Sequence, residues 1–164
     1  MMRVEAGRVL RNGVIAGAAG GLAEVVWVSV YAALTGVDPA SVARAVTTAA
    51  GVARLLPAAP ATLGIAVHMG LALLLGIALA SVWERVRRHA PAMSPYGIAI
   101  PALVAVWAFN FFVLLPVIDA GFVQVLPYMV SLASKLLFGL AAAEVLRATA
   151  QYGTRERMAA RAQG

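Results

Sequence analysis

The chain reads as an all-α protein: a four-helix transmembrane bundle with both termini cytoplasmic and a short external amphipathic helix between the first two spans. Three observations predict this. Of 164 residues, 62% are hydrophobic and only 12% charged, where a soluble domain carries about 25% charged residues. Four apolar stretches, about 12–35, 62–83, 97–116 and 122–147, are each near the roughly 20 residues that a bilayer-crossing helix needs. Basic residues gather before the first stretch, between the second and third, and after the fourth, and an even number of spans puts all three segments on one side.

One membrane-embedded domain, 1–164, accounts for the whole sequence, since no polar block is large enough for a second. The formal charge of +6 reads as topology: arginines hold loops on the cytoplasmic side and touch anionic lipid, so no nucleic-acid partner is expected. With no cysteine, disulfides, thiolate metal sites and thiol chemistry are excluded. His68 and His89 are too few for a metal cluster built by this chain alone. No cofactor or metal is expected.

The first span follows a polar start with Arg3, Arg8 and Arg11. A basic start before an apolar run is also the form of a signal peptide. The run here is too long for that and carries Glu24. Gly13, Gly17 and Gly21 recur every four residues, a flat ridge along which another helix can pack closely. Glu24, three residues on, prolongs that face.

Asp38-Pro39 is a good helix start, with Asp as cap and Pro in the first turn. Val42, Val46, Ala49, Ala50 and Ala53 then recur at helical spacing, opposite Arg44 and the Thr47 side. Residues 38–54 are therefore expected to form an amphipathic helix on the outer membrane surface, ended by Pro57 and Pro60. The alternative is a partly inserted loop, which Arg44 and Arg54 resist. In the second span His68, Ala72, Gly76 and Ala80 form a ridge of small residues with a histidine at its outer end. Trp83 suits the interface, and 84–96 is a basic loop rich in turn residues. Pro101 is tolerated in the first turn of the third span and Pro116 closes it. The short connection 117–121 predicts an antiparallel hairpin with the fourth span, whose start is placed at Phe122. The basic tail, 148–164, is expected to be frayed or helical on the membrane surface.

Lys135 lies near the middle of the fourth span. A mid-membrane lysine costs about 2.5–3.5 kcal/mol on insertion scales, so it should face protein and have a partner. Glu24 is the one good candidate. At about 1.5 Å per residue both lie roughly 16–18 Å below the outer ends of their spans, and His68 and Asn110 roughly 9–11 Å below. Two layers are expected: Glu24 with Lys135, and His68 with Asn110 and Ser131, with Ser134 adjacent. On the fourth span Ser131, Lys135, Gly139 and Ala143 share a face, which is expected to meet the glycine ridge. The pair reads first as a structural ion pair that fixes helix pairing and register. The competing reading is a small transporter or a proton or ion pathway through Glu24, His68 and Lys135.

Other chemistry is thin. A membrane b-haem wants two facing ligands; only His68 qualifies, with Met129 at similar depth. Ser131 and Lys135 are spaced like a Ser–Lys dyad, but no oxyanion hole is visible. No HExxH, P-loop or GxSxG signature occurs. No catalytic residue is nominated and the balance is against an enzyme.

The stretches GVIAGAAGGLAE, IAVHMGLALLLG, a Trp-containing third span ending in LLP, and SKLLFGLAAAEVL together resemble the small four-helix bacterial inner-membrane proteins grouped as domains of unknown function. The likeness covers about 12–147, with 36–61 as a departure. It implies four spans in the bacterial inner (cytoplasmic) membrane and carries over no activity. The expected function is that of a small non-enzymatic membrane protein, structural or accessory, working in the lipid bilayer as a homo-oligomer or within a larger membrane complex.

Overall fold

The computed structural model describes residues 2–56, 58–119 and 121–162, and every regular element among them is a helix. These are α1 (Met2–Thr35), α2 (Pro39–Ala49), α3 (Pro60–His89), α4 (Pro95–Phe109), a π-helical turn (Asn110–Leu114), α5 (Leu115–Ile118), α6 (Phe122–Val125) and α7 (Tyr128–Ala162). Four rods, Glu5–Thr35, Pro60–His89, Pro95–Ile118 and Tyr128–Tyr152, are long and apolar enough to cross a membrane.

α1 and α7 are the central pair. α1 packs against α3 on one side and α7 on the other, α7 carries α4 on its far side, and α2 lies on α3. α3 and α4, adjacent in sequence, touch only lightly. Size sorts the residues between inside and outside. Ala16, Ala72, Ala80, Ala99, Ala142 and Ala143 are buried, with Leu79, Leu103, Phe138 and Leu146 as the bulky fillers. Leu22, Leu74, Phe112 and Met129 point outward, each more than half exposed. Helices that associate without a hydrophobic drive need small residues between them and leave large apolar ones for lipid.

The glycine ridge of α1 has its neighbour within the chain, and that neighbour is α3. A Cβ on Gly13 would lie 2.5 Å from the Ile77 Cα, and one on Gly17 would lie 2.5 Å from the Ala72 carbonyl oxygen. Gly76 sits directly against the backbone of both glycines. The ridge therefore does not meet α7, as the sequence suggested. The α7 stripe toward α1 is rotated by one residue, to Ser134 and Phe138, whose ring lies against Gly20. Gly139 faces α4 instead, where a Cβ would stand 3.0 Å from Ile100 Cδ1. Tight backbone contact is a property of two glycine-bearing ridges together, and α3 offers the better match through Gly76.

Helix ends follow local chemistry. Gly36 and Gly51 adopt φ of +74° and +69° just after α1 and α2, the left-handed conformation that glycine takes at helix C-termini. Gly51 is why the second helix stops short of the expected 54. Asp38 caps α2, accepting from Ala40 N at 3.0 Å and from Arg44 at 2.8 Å. Those two bonds, the backbone one foremost, hold its carboxyl below the ordinary aspartate value of 3.8. α3 runs through the expected loop to His89, with Arg87, Arg88 and His89 in its last turn, where cations suit the helix dipole. Ser94 caps α4.

Pro116 does not close the third span. Helical structure continues to Ile118 through the π turn, in which Leu115 N donates to Asn110 O. The wider turn supplies room for a proline ring that would otherwise crowd the preceding turn's carbonyl. The fourth span begins at Tyr128 rather than Phe122. Leu126 is extended (φ −129°, ψ 103°) before Pro127, as the residue before a proline prefers, and this detaches α6. The tail stays helical to Ala162. Pro57, Ala120, the last two residues and the side chains of Arg155, Arg157 and Arg161 lie outside the described residues.

Candidate functional site: a buried carboxylate between three helices

Glu24 sits on α1 one turn beyond Gly20, where α1 is wedged between α3 and α7. Its side chain is 3% exposed. Lys135 Nζ of α7 is 2.7 Å from Glu24 Oε1, and Ser134 Oγ donates to the same oxygen at 2.9 Å. Successive residues of one helix thus grip one carboxylate oxygen, since α7 turns the Ser134 side toward α1 and lets the longer lysine reach round from its flank. Lys135 Nζ also stands 5.8 Å from the centroid of the Phe138 ring, within the range of a cation–π contact.

The other carboxylate oxygen is different. Glu24 Oε2 is buried and accepts no hydrogen bond among the described residues. His68 Nε2 on α3 stands 3.7 Å from it, beyond hydrogen-bond length. His68 Nε2 is 3.3 Å from the Gly21 carbonyl oxygen. With that carbonyl as acceptor, the nitrogen carries the proton and aims between the backbone of α1 and Glu24. The His68 side chain is 24% exposed and that of Lys135 20%. The carboxylate is therefore the sealed member, and both bases reach the edge of the bundle.

The remaining members of the expected constellation divide. Ser131 is buried one turn from Lys135, but no side-chain hydrogen bond joins it to Glu24 or His68 among the described residues. Asn110 opens the π turn on the α4 rod. That rod is separated from α1 by α7 and barely touches α3, so Asn110 does not join His68. The two expected layers become one constellation: Glu24, Lys135, Ser134 and, at longer range, His68. Among the described residues no three His, Asp or Glu side chains gather as a metal site requires.

Two polar assemblies at the opposite end were not singled out by sequence. Glu84 of α3 receives Arg87 Nε and Nη2 at 2.6 Å each, with Arg8 of α1 and Arg88 each at 3.4 Å. Arg88 also reaches Glu5 at 3.1 Å. Tyr96 of α4 donates to Glu144 of α7, which Arg147 holds from three residues on. The Glu-x-x-Arg spacing of both assemblies was the available signal. Trp27 Nε1 donates to the Val130 carbonyl at 2.9 Å and adds a second polar tie between α1 and α7.

Comparison with protein-family models, curated proteins and solved structures finds no match to this chain.

Proposed function

We propose that this chain is a small multi-pass protein of the bacterial inner membrane, non-enzymatic, that serves as a structural or accessory subunit. The observation that carries the reading is Glu24, a carboxylate 3% exposed and held from α7 at 2.7 and 2.9 Å. A buried ion pair is a poor source of net stability but a strong device for selecting which helices pair and in what register. The outward-facing bulky residues support the membrane setting. The arginine-rich ends of α1 and α3 and the start of the tail belong on the cytoplasmic side by the positive-inside rule, which puts both termini inside and α2 on the outer surface. A homo-oligomer or a larger membrane complex is the setting in which such a subunit would act.

Two measurements test this. Glu24→Gln and Lys135→Met should each reduce accumulation in membranes, and the double variant should recover it. Single variants that accumulate and fold like the parent would overturn the structural reading. A pull-down in mild detergent should bring a stoichiometric partner or a second tagged copy; a monomer that brings neither would remove the accessory role.

A second reading, a proton or ion pathway, is favoured by the unbonded Oε2 of Glu24 facing His68 at 3.7 Å. Under it, Glu24→Gln and His68→Ala insert and fold normally but abolish a flux measured in proteoliposomes. Unchanged flux would end that reading.

A further inference from the structure

A cleft of about 70 Å³ opens at the arginine-rich end, between α1, α3 and α7. It is distant from Glu24 along α1, and nothing in the interior ion pair uses it. Its lining includes Arg8, Asn12, Trp83, Glu84, Arg87 and Thr149. We propose that this cleft binds a phosphate group that carries a neighbouring hydroxyl or amine, as in a phospholipid headgroup or a small free phosphate ester. The proposal rests on the membrane-spanning reading above only for its lipid source.

Size sets the first limit. A water needs about 10–15 Å³ of such space, so the cleft holds the equivalent of about five to seven waters. That is enough for a phosphate and a few attached atoms, and too little for acyl chains, which would stay outside among the apolar side chains.

Charge sets the second. Glu84 is the acid of the lining, and Arg87 neutralises it through a two-point contact at 2.6 Å. Arg8 touches Glu84 only at 3.4 Å, with its side chain 32% exposed. Most of the donor fork of Arg8 is therefore uncommitted among the described residues, and a guanidinium with free donors is a preferred phosphate ligand. The lining holds two arginines against one glutamate, a surplus of positive charge.

An orphan acceptor sets the third. Asn12 Oδ1 is buried and makes no hydrogen bond among the described residues, an unfavourable state for a buried acceptor. A phosphate oxygen cannot satisfy it, because both are acceptors. A hydroxyl or ammonium beside the phosphate can, once the Asn12 side chain rotates to bring this sealed oxygen into the cleft. Trp83 places the cleft at the depth where indoles settle at a membrane–water boundary, which is where headgroup phosphates lie.

The test uses the full-length protein in nanodiscs of phosphatidylcholine with and without phosphatidylglycerol, read by native mass spectrometry for retained lipid. In parallel, intrinsic tryptophan fluorescence in detergent is titrated with inorganic phosphate and with glycerol 3-phosphate. The parent should retain one phosphatidylglycerol, and Arg8→Gln and Asn12→Leu should each weaken retention about tenfold or more. Thr149→Leu, which narrows the cleft and changes no charge, should do the same while its melting temperature stays near the parent's. Glycerol 3-phosphate binding more tightly than inorganic phosphate supports the neighbouring-hydroxyl requirement. If the soluble ester binds and lipid is not retained, the phosphate site stands and its occupant is a free ester. Equal retention by parent and variants, together with no fluorescence response to either soluble phosphate, overturns the inference. Release of the protein from membranes by alkaline extraction would instead overturn the membrane reading and leave the soluble-ester arm to judge the site.

Discussion

Removing Lys135 while leaving Glu24 in place is the sharpest test of the interior. Lys135→Met keeps the volume and the apolar stem but strands a carboxylate that is 3% exposed. Breaking a buried pair from one side costs about 3–5 kcal/mol. Ser134 still donates at 2.9 Å, and the lysine is not fully sealed, with its side chain 20% exposed. Both put the loss at the lower end, about 3 kcal/mol. For a chain of this size each kcal/mol is worth about 2–4 °C, so melting should fall by about 6–12 °C. Glu24→Gln should cost less, because the glutamine amide oxygen can still accept from Ser134 and Lys135, whereas Lys135→Met leaves the carboxylate with no cation at hydrogen-bond distance. The double variant Glu24→Gln/Lys135→Met should melt well above the sum of the singles, a coupling of about 2 kcal/mol. Circular dichroism melts of the four proteins in one mild detergent measure this cycle. Additive losses, or a Lys135→Met protein that melts with the parent, would refute the claim that the two side chains form one buried unit.

Gly17→Ala should loosen α1 from α3 and cost about 1–3 kcal/mol, since its Cβ would meet the Ala72 carbonyl oxygen at 2.5 Å and the Leu73 Cα at 2.8 Å. Gly70→Ala, with nothing within 4 Å, should be neutral or stabilising by about 0.5–1 kcal/mol, and equal melting of the two variants would contradict the seam. Trp27→Phe should lose about 1 kcal/mol with its hydrogen bond to Val130, read as a drop of a few degrees in the same melts. At Asp38 the folded carboxyl titrates below the ordinary value, so its capping of α2 is complete above about pH 4 and is lost as pH falls through the lowered value. Protection of the Ala40 amide, taken against its intrinsic exchange rate at each pH, should fall over that acidic range in the parent and hold in Asp38→Asn.

The span count and the identity of the buried pair were legible because both depend on large, local costs. An apolar run of spanning length has few alternatives, and a lone charge inside one demands an opposite charge inside another. The pairing of ridges was less legible. Small residues line α1, α3 and α7 alike, so spacing alone could not say that Gly17 would meet Gly76 while Gly139 turned to Ile100. A rotation of one residue, from Lys135 to Ser134, decided which face of α7 met α1. Asn110 was misplaced for a related reason: its depth was estimated, but depth does not say which rod stands between two others. The π turn before Pro116 and the break at Leu126 came from prolines whose local effects the sequence announced and whose outcomes depended on the neighbouring turns.

The order in which the ribosome delivers these groups now matters. α1 is made with Glu24 long before Lys135 exists, since 110 residues separate that acid from Ser134, the earlier in sequence of its two α7 partners. His68 emerges in between, on the helix that zips against α1 through glycine. The carboxylate is therefore the first charged group of the cluster to be made, and the lysine that holds it at 2.7 Å is the last.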